Sequence, residues 1–236
     1  MYNTSLLVSD AEKLGISLTE EQLSLFEKLS ELLVEQNKTM NLTAITDPDG
    51  IAVKHFADSI SVLTAAEMPQ GSRVLDVGTG AGFPGIPLLI MRPDLDLTMI
   101  DSTAKKLKYV ENTVNELGLI ATTLHTRAEE AGQSKEYREK FDFVCSRAVA
   151  ALNVLCEYCL PFVKQNGLFI AMKGAKAQEE IDGAKAAIKL LGGKIVEEKS
   201  FKLSDGGERN IIIIKKISHV PPKYPRVSAQ IAKKPL

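Results

Sequence analysis

Two acids and a run of glycines carry the strongest chemical signal in this 236-residue chain. The stretch Arg73-Val74-Leu75-Asp76-Val77 is β-favouring apart from its two charges, and it stops at Gly78-Thr79-Gly80-Ala81-Gly82-Phe83-Pro84-Gly85. Four glycines in eight positions, followed at once by the apolar run Ile86 to Met91, predict a strand that turns through bare backbone into a helix. Each missing Cβ permits a positive φ and lets a ligand approach the main chain. A second apolar run, Leu95 to Ile100, ends in Asp101, 21 positions after Gly80. An acid at the tip of the next strand is placed to hold a pair of ribose hydroxyls.

Two ligands fit such a unit, a dinucleotide or S-adenosylmethionine. Gly80, Gly82 and Gly85 satisfy G-x-G-x-x-G, a pattern that is weak by itself. Three details lean toward the methyl donor. The glycines begin at Gly78, two residues after the acid Asp76, and Pro84 and Pro87 remove N–H donors where a pyrophosphate needs them. S-adenosylmethionine has no pyrophosphate; it needs close approach and acidic partners. The candidate cofactor residues from this stretch are Asp76, Gly78, Gly80, Gly82, Phe83 and Asp101.

Composition sets the frame. A hydrophobic fraction of 44% and a charged fraction of 25% are those of an ordinary globular protein. No apolar run reaches the roughly 20 residues that span a bilayer, and the N-terminus has no basic flank or apolar signal core, so a cytoplasmic protein without membrane contact is expected. The net charge of −1 is uneven: residues 1–70 hold 4 basic and 11 acidic side chains, whereas residues 203–236 hold 7 and 2, with no acid after Glu208. A basic end on a near-neutral chain can meet a polyanion through one face.

Thr19-Glu20-Glu21-Gln22 is a capping box, and Leu23, Phe26, Leu29 and Leu33 then recur at helical spacing, predicting a helix to about Gln36. Asn37 to Thr43 is polar and aperiodic and reads as a loop. Asp47-Pro48 starts a second helix that runs to about Glu67, with His55 and Asp58 an i, i+3 pair that reads as local structure. A break at Pro69-Gln70-Gly71 separates a helical region, 1–68, from an α/β domain, 69–218, and a Pro-containing basic tail, 219–236. Strand-like segments at 73–77, 96–101, 121–125, 141–146, 166–172, 194–201 and 210–217 alternate with helical ones at 84–91, 103–117, 150–160 and 176–191. That alternation predicts a parallel sheet, and the link Ser204-Asp205-Gly206-Gly207 is so short that the last two strands must be antiparallel. The layout is that of a Rossmann-like class I methyltransferase: seven strands, mostly parallel, with a terminal antiparallel strand and a small helical N-terminal region.

Ligands of such sheets sit outside the strands' carboxyl ends. That rim holds the Arg127-Ala128-Glu129 turn, where Ala128 and Glu129 suit an adenine edge, together with Ser146-Arg147 and Lys173. Arg147 ends the fourth strand, facing the methyl acceptor. Cys145-Ser146-Arg147-Ala148 lacks the Asn/Asp-Pro-Pro-aromatic signature of exocyclic amine methylation, and Cys145 lacks the setting of a nucleophilic thiol. Cys156 and Cys159 lie in an apolar helix and read as core thiols, so no metal is expected. A ring nitrogen with a free lone pair, such as guanine N7, needs no general base, so positioning would do most of the work.

The chain resembles the ribosomal RNA small subunit methyltransferase G family, also called glucose-inhibited division protein B, over nearly its whole length. The resemblance rests on Asn37-Lys38-x-Met40-Asn41-Leu42-Thr43, His55-x-x-Asp58-Ser59, Asp76 through Pro87, Asp101-Ser102 with Lys105-Lys106, Arg127-Ala128-Glu129, Ser146-Arg147-Ala148 and Lys223-Tyr224-Pro225-Arg226 to Leu236. It implies S-adenosylmethionine-dependent N7 methylation of one guanosine near the decoding site of 16S rRNA, presented as RNA or as a small-subunit particle. It also implies that Gly78, Phe83, Ala128, Glu129 and Arg147 contact the cofactor or its surround, with Arg147 orienting the acceptor. The expected RNA face holds Asn37, Lys38, Asn41, Lys173, Arg209, Lys223, Tyr224 and Arg226, with Tyr224 offering a stacking surface. Removal of the tail after His219 is expected to leave cofactor affinity intact and to steepen the loss of RNA binding with salt. A monomer is expected. The other classes open to such a chain are an inactive RNA-binding protein on this fold and a nicotinamide-dependent oxidoreductase.

Overall fold

The computed structural model describes residues 2–236. Helix α1 (Thr4–Lys13) comes first, in a stretch where the sequence reading placed none. It forms because the Asn3 side chain caps Leu6 N and because Leu7 and Ala11 bury on its inner face. Helix α2 (Glu20–Met40) opens on the capping box of Thr19 and Gln22. It runs past Gln36, so Asn37 and Lys38 lie in its last turns rather than in a loop. Nothing before Asn41 breaks the helix, and Asn41 ends it at φ 48°, a left-handed conformation that asparagine tolerates. The next helical stretch changes type along its length. Asp47 caps α3 (Pro48–Gly50), a π-helical segment Ile51–Ala57 follows, then α4 (Asp58–Ile60) and a 3₁₀ turn Ser61–Thr64.

The alternating region contains β1 (Arg73–Val77), α5 (Gly85–Met91), β2 (Asp96–Asp101), α6 (Ala104–Glu116), β3 (Thr122–His125), α7 (Ala128–Ala131) and β4 (Phe141–Arg147). It continues with α8 (Leu152–Cys159), β5 (Val163–Lys173), α9 (Ala177–Leu190), β6 (Gly193–Lys202) and β7 (Glu208–Lys216), and α10 (Ser228–Lys233) closes the chain. One sheet runs in the order β3-β2-β1-β4-β5-β7-β6. The first five strands pair in parallel, and β7 lies antiparallel between β5 and β6. The tight connection of residues 203–207 produces that reversal. Strand order switches direction at β1 and β4, so a crevice opens beyond their carboxyl ends.

Each sheet face has its own core. On one face Phe26, Leu29, Leu33 and Phe56 pack with Ile86, Leu89 and Met99, which ties the N-terminal helices to the glycine-loop helix. Burying side chains of this size contributes roughly 1.5–3 kcal/mol each. On the other face Leu155, Cys156 and Cys159 of α8 pack with Val144, Phe169 and Ile212, and Val220 and Tyr224 of the tail join them. The tail is therefore a packed element with a terminal helix. Its apolar residues and the Arg226–Glu157 ion pair hold it down, which a reading of its charge alone misses.

Candidate cofactor and acceptor site

The glycine loop hangs from the tips of β1 and β2. The N–H groups of Gly78 and Thr79 both donate to Ile100 O, at 2.9 and 3.1 Å. Gly78, Gly80 and Gly82 take φ of 73°, 57° and 90°, a region costly for any residue with a Cβ. The Asp101 carboxylate accepts from Gly80 N at 3.0 Å and from Thr103 N at 2.8 Å. Asp76 is fully buried beneath the loop, where Oδ2 accepts from Gly85 N at 3.0 Å and Oδ1 has no partner. Burial pushes its carboxyl up to about 6. A Cβ on Gly85 would meet Met99 Sδ at 2.6 Å and Asp76 Oδ2 at 2.9 Å, so this glycine lets α5 close onto the strand tips.

A cavity of about 520 Å³ opens above the loop. Of the sequence-predicted cofactor residues, Gly78, Gly80, Phe83, Asp101, Ala128, Glu129 and Arg147 line it. Asp76 and Gly82 are not in its wall; they act from below. A Cβ on Gly82 would collide with Ile86 Cδ1, so Gly82 shapes the turn into α5. The cavity suits S-adenosylmethionine on two observations. Glu129 Oε1 is buried without a hydrogen-bond partner, with only the Arg127 guanidinium at 3.9 Å, so it can accept from a ligand donor. A Cβ on Gly80 would meet nothing nearer than Gly78 O at 3.9 Å, so that position faces open space and a ligand can lie against the backbone.

A second cavity of about 960 Å³ adjoins the first, and both are walled by His55, Arg147, Ala148 and Val149. Arg147 is the hinge of this arrangement. Its Nη1 donates to Asp58 Oδ2 at 2.9 Å and to Lys54 O at 2.8 Å, and its guanidinium lies 5.2 Å from the centre of the Phe83 ring. The His55 ring stacks on Phe83 at 4.5 Å and 4°. Arg147 can only donate, so the long 3.4 Å contact makes His55 Nδ1 the acceptor and leaves Nε2–H to donate to Thr43 Oγ1 at 2.9 Å. Asp58 Oδ1 accepts from Arg209 Nε at 3.0 Å, so one carboxylate bridges two arginines from β4 and β7.

His55 and Asp58, whose spacing in the sequence reads as local structure, thus both line the candidate site. Their i, i+3 spacing was the visible signal, and the arginines that give it meaning are about 90 and 150 positions away. Burial, with the Arg147 charge beside it, holds His55 down to about 3. The unfolded chain takes up that proton near pH 6.5. The His55 contribution is therefore fully present above pH 6.5 and is lost as pH falls toward 3. Exchanging His55 for Asn is expected to cost about 2 kcal/mol less at pH 4.5 than at pH 7.5 in urea titrations, and an equal cost at both pH values would refute the buried neutral imidazole.

The predicted RNA residues divide. Lys173 and Arg209 line the larger cavity, Lys173 paired with Glu180 at 2.7 Å and Arg209 with Asp58 and Asp205. Asn37 turns inward and clasps Thr43, donating to its O and accepting from its N at 2.9 Å each, so it positions the residue that holds His55. Lys38, Asn41 and Lys223 are exposed. Tyr224 and Arg226 do not fit the assigned role. The Tyr224 ring is only 6% exposed and packs in the core, so no base can stack on it. Arg226 spends its guanidinium on the buried Glu157 carboxylate, at 2.9 and 2.6 Å. The three cysteines are buried and free, with their thiols pushed well up by burial, which suits core packing and not nucleophilic attack. Among the described residues no group of three or more His, Cys, Asp or Glu side chains could hold a metal ion, and no helix is long and apolar enough to cross a membrane.

Sheet order, glycine loop and rim define a class I S-adenosylmethionine-dependent methyltransferase. The same fold occurs in an S-adenosylmethionine-dependent O-methyltransferase from Thermotoga maritima, with a TM-score of 0.52, 14% identity and coverage of 80% of this chain and 72% of that one. It occurs again in TrmN from Thermus thermophilus, with a TM-score of 0.53, 16% identity and coverage of 67% and 48%. At the level of sequence, the profile of the rRNA small subunit methyltransferase G family (GidB) matches residues 22–212. Ribosomal RNA small subunit methyltransferase G of Desulforamulus reducens is 46% identical over 237 residues, covering 99% of this chain and 98% of its own. That of Brevibacillus brevis is 49% identical over 224 residues, covering 94% of each. The chain belongs to the rRNA small subunit methyltransferase G family.

Proposed function

We propose that this protein transfers a methyl group from S-adenosylmethionine to N7 of one guanosine in 16S rRNA, in the cytoplasm and as a monomer. The observation that carries the choice of atom is the state of the groups where the two cavities meet. His55 is buried and far below its usual pKa, its Nδ1 facing a guanidinium, and Asp58 is held by Arg147 and Arg209. The His55 Nδ1 and both Asp58 carboxylate oxygens thus already face arginine donors. Guanine N7 presents a lone pair and has no proton to lose, so it suits a site of this kind, whereas an exocyclic amine does not.

S-adenosylmethionine, when bound, supplies an electrophilic methyl group on its sulfonium. The chain's own residues do the positioning. Asp101 and Glu129 offer carboxylates to hydroxyl and amino donors, and the glycine loop gives backbone contact. Arg147, resting on Phe83, forms the wall between the cavities and orients the acceptor ring. Transfer leaves positive charge on the guanine, in a cavity whose wall carries both acids and bases. A base reaches such a chamber only from a loop or an opened helix. Lys38, Asn41 and Lys223, with Lys173 and Arg209 deeper in, are the groups offered to that RNA.

Labelled S-adenosylmethionine incubated with unmodified 16S rRNA, as free RNA and as small-subunit particles, tests the reading by mapping the labelled base. Chain scission at a single guanosine after borohydride and aniline treatment is the expected result. Label on an exocyclic amine or a ring carbon overturns the assignment of N7.

A further inference from the structure

The smaller cavity has a wall that the glycine-loop motif does not supply. Tyr158, at the end of α8, and Ser228, the first residue of α10, line it together with Ala128 and Glu129. Helix α7 packs against α8, and Pro225, three residues before Ser228, lies against Gly132 at the end of α7, so Tyr158 and Ser228 stand at the α7 end of the cavity. Asp101 lines the same cavity from the tip of β2, so a nucleoside held there through its ribose directs its base toward α7.

Ser228 reaches this position only because the preceding segment is tied down. Arg226 N and Nε both donate to Glu157 Oε1, at 2.8 and 2.9 Å, and Nη2 donates to Oε2 at 2.6 Å. The Arg138 guanidinium collects the carbonyls of Val220 at 2.9 Å and Tyr224 at 2.7 Å, and Gln133 Nε2 donates to Pro225 O at 2.8 Å. Pro225 also lies against Gly132, directly behind α7, where a Cβ on the glycine would come within 3.0 Å of Pro225 Cγ. A solvated tail needs no such set of buried and charge-assisted bonds.

We infer that the C-terminal segment is a working part of the cofactor site, with Tyr158 and Ser228 as positioning residues that close the base end of the nucleoside cavity and Arg226–Glu157 as the anchor that holds them. The inference rests on S-adenosylmethionine occupying that cavity. It reverses the expectation that the tail can be removed without cost to cofactor binding, because removal takes away Ser228 and the buttress behind α7. The hydroxyls of Tyr158 and Ser228 are a donor–acceptor pair suited to an adenine edge.

Calorimetric titration of the full-length protein with S-adenosylmethionine and with adenosine tests it. Exchanging Ser228 for Phe, which projects a ring into the cavity, is expected to weaken both ligands by the same factor, about tenfold or more, without lowering the melting temperature of the ligand-free protein. Tyr158→Phe, which removes only a hydroxyl, is expected to weaken both by about threefold. Both variants binding both ligands as the parent does overturns the inference. A parent protein that binds neither ligand overturns the cofactor reading instead.

Discussion

Replacing Asp58 by Ala is expected to lower kcat for methyl transfer by about 100-fold while leaving the affinity for S-adenosylmethionine within about threefold of the parent. Asp58 has no place in the wall of the cofactor cavity; it holds Arg147 and Arg209, whose side chains are 14% and 16% exposed. Arg209 keeps Asp205 at 2.9 Å when Asp58 is gone, but Arg147 keeps only backbone, ring and imidazole contacts. An uncompensated, largely buried guanidinium costs about 3 kcal/mol. Freed from its partner, Arg147 can swing off the Phe83 face, and a displacement of about 1 Å at an acceptor wall costs about two powers of ten in rate. Single-turnover transfer, calorimetry and urea titration separate the three effects. The Asp58→Asn variant keeps the shape and one acceptor without the charge, and its rate is expected to fall between those of the parent and the Ala variant. A kcat within threefold of the parent in the Ala variant would show that the bridge serves stability alone.

The second large effect is expected at Gly80. Exchange for Val places a branched side chain at φ 57° and directs it into the open space of the cofactor cavity. The strain costs about 1–2 kcal/mol, and filling the cavity excludes the ligand, so affinity for S-adenosylmethionine should fall by about 100-fold or more. Gly118 supplies the control. It lies just past the end of α6 at φ 68° with no atom within 4 Å of a Cβ, and it lines neither cavity. Gly118→Val therefore carries the strain without the obstruction. Calorimetry on both variants should show lost binding for Gly80 and near-parent binding for Gly118 at similar melting temperatures. Equal losses in both would mean that backbone strain, and not occupancy of the cavity, governs affinity.

Much of this molecule is readable locally. Asp76, the glycines and Asp101 lie within 26 positions of one another, and each reports a local necessity: a strand end, a positive φ, a strand tip. Strand–helix alternation and the four-residue link before β7 gave the sheet's class and its one reversed strand, because period and loop length act over a few residues. The assignment of Ala128, Glu129 and Arg147 to the rim followed from the rule that parallel strands present their carboxyl ends together.

Pairings across the chain were decided elsewhere. Asn37 reads as an RNA-facing loop residue until α2 carries it beside Thr43, and Asp58 reads as a helix acid until β4 and β7 bring it Arg147 and Arg209. Tyr224 and Arg226 suggest a nucleic-acid strap by composition. Burial of the ring and the Glu157 carboxylate make them structural, and they bring Ser228 to the cofactor cavity. By itself, then, the sequence determined the strand–loop–helix unit, the sheet class and the rim residues, since periodicity, backbone sterics and strand polarity are local properties. Only the tertiary structure decided which charge meets which, and which face of each element is spent inward, because most of those contacts join residues tens to well over a hundred positions apart.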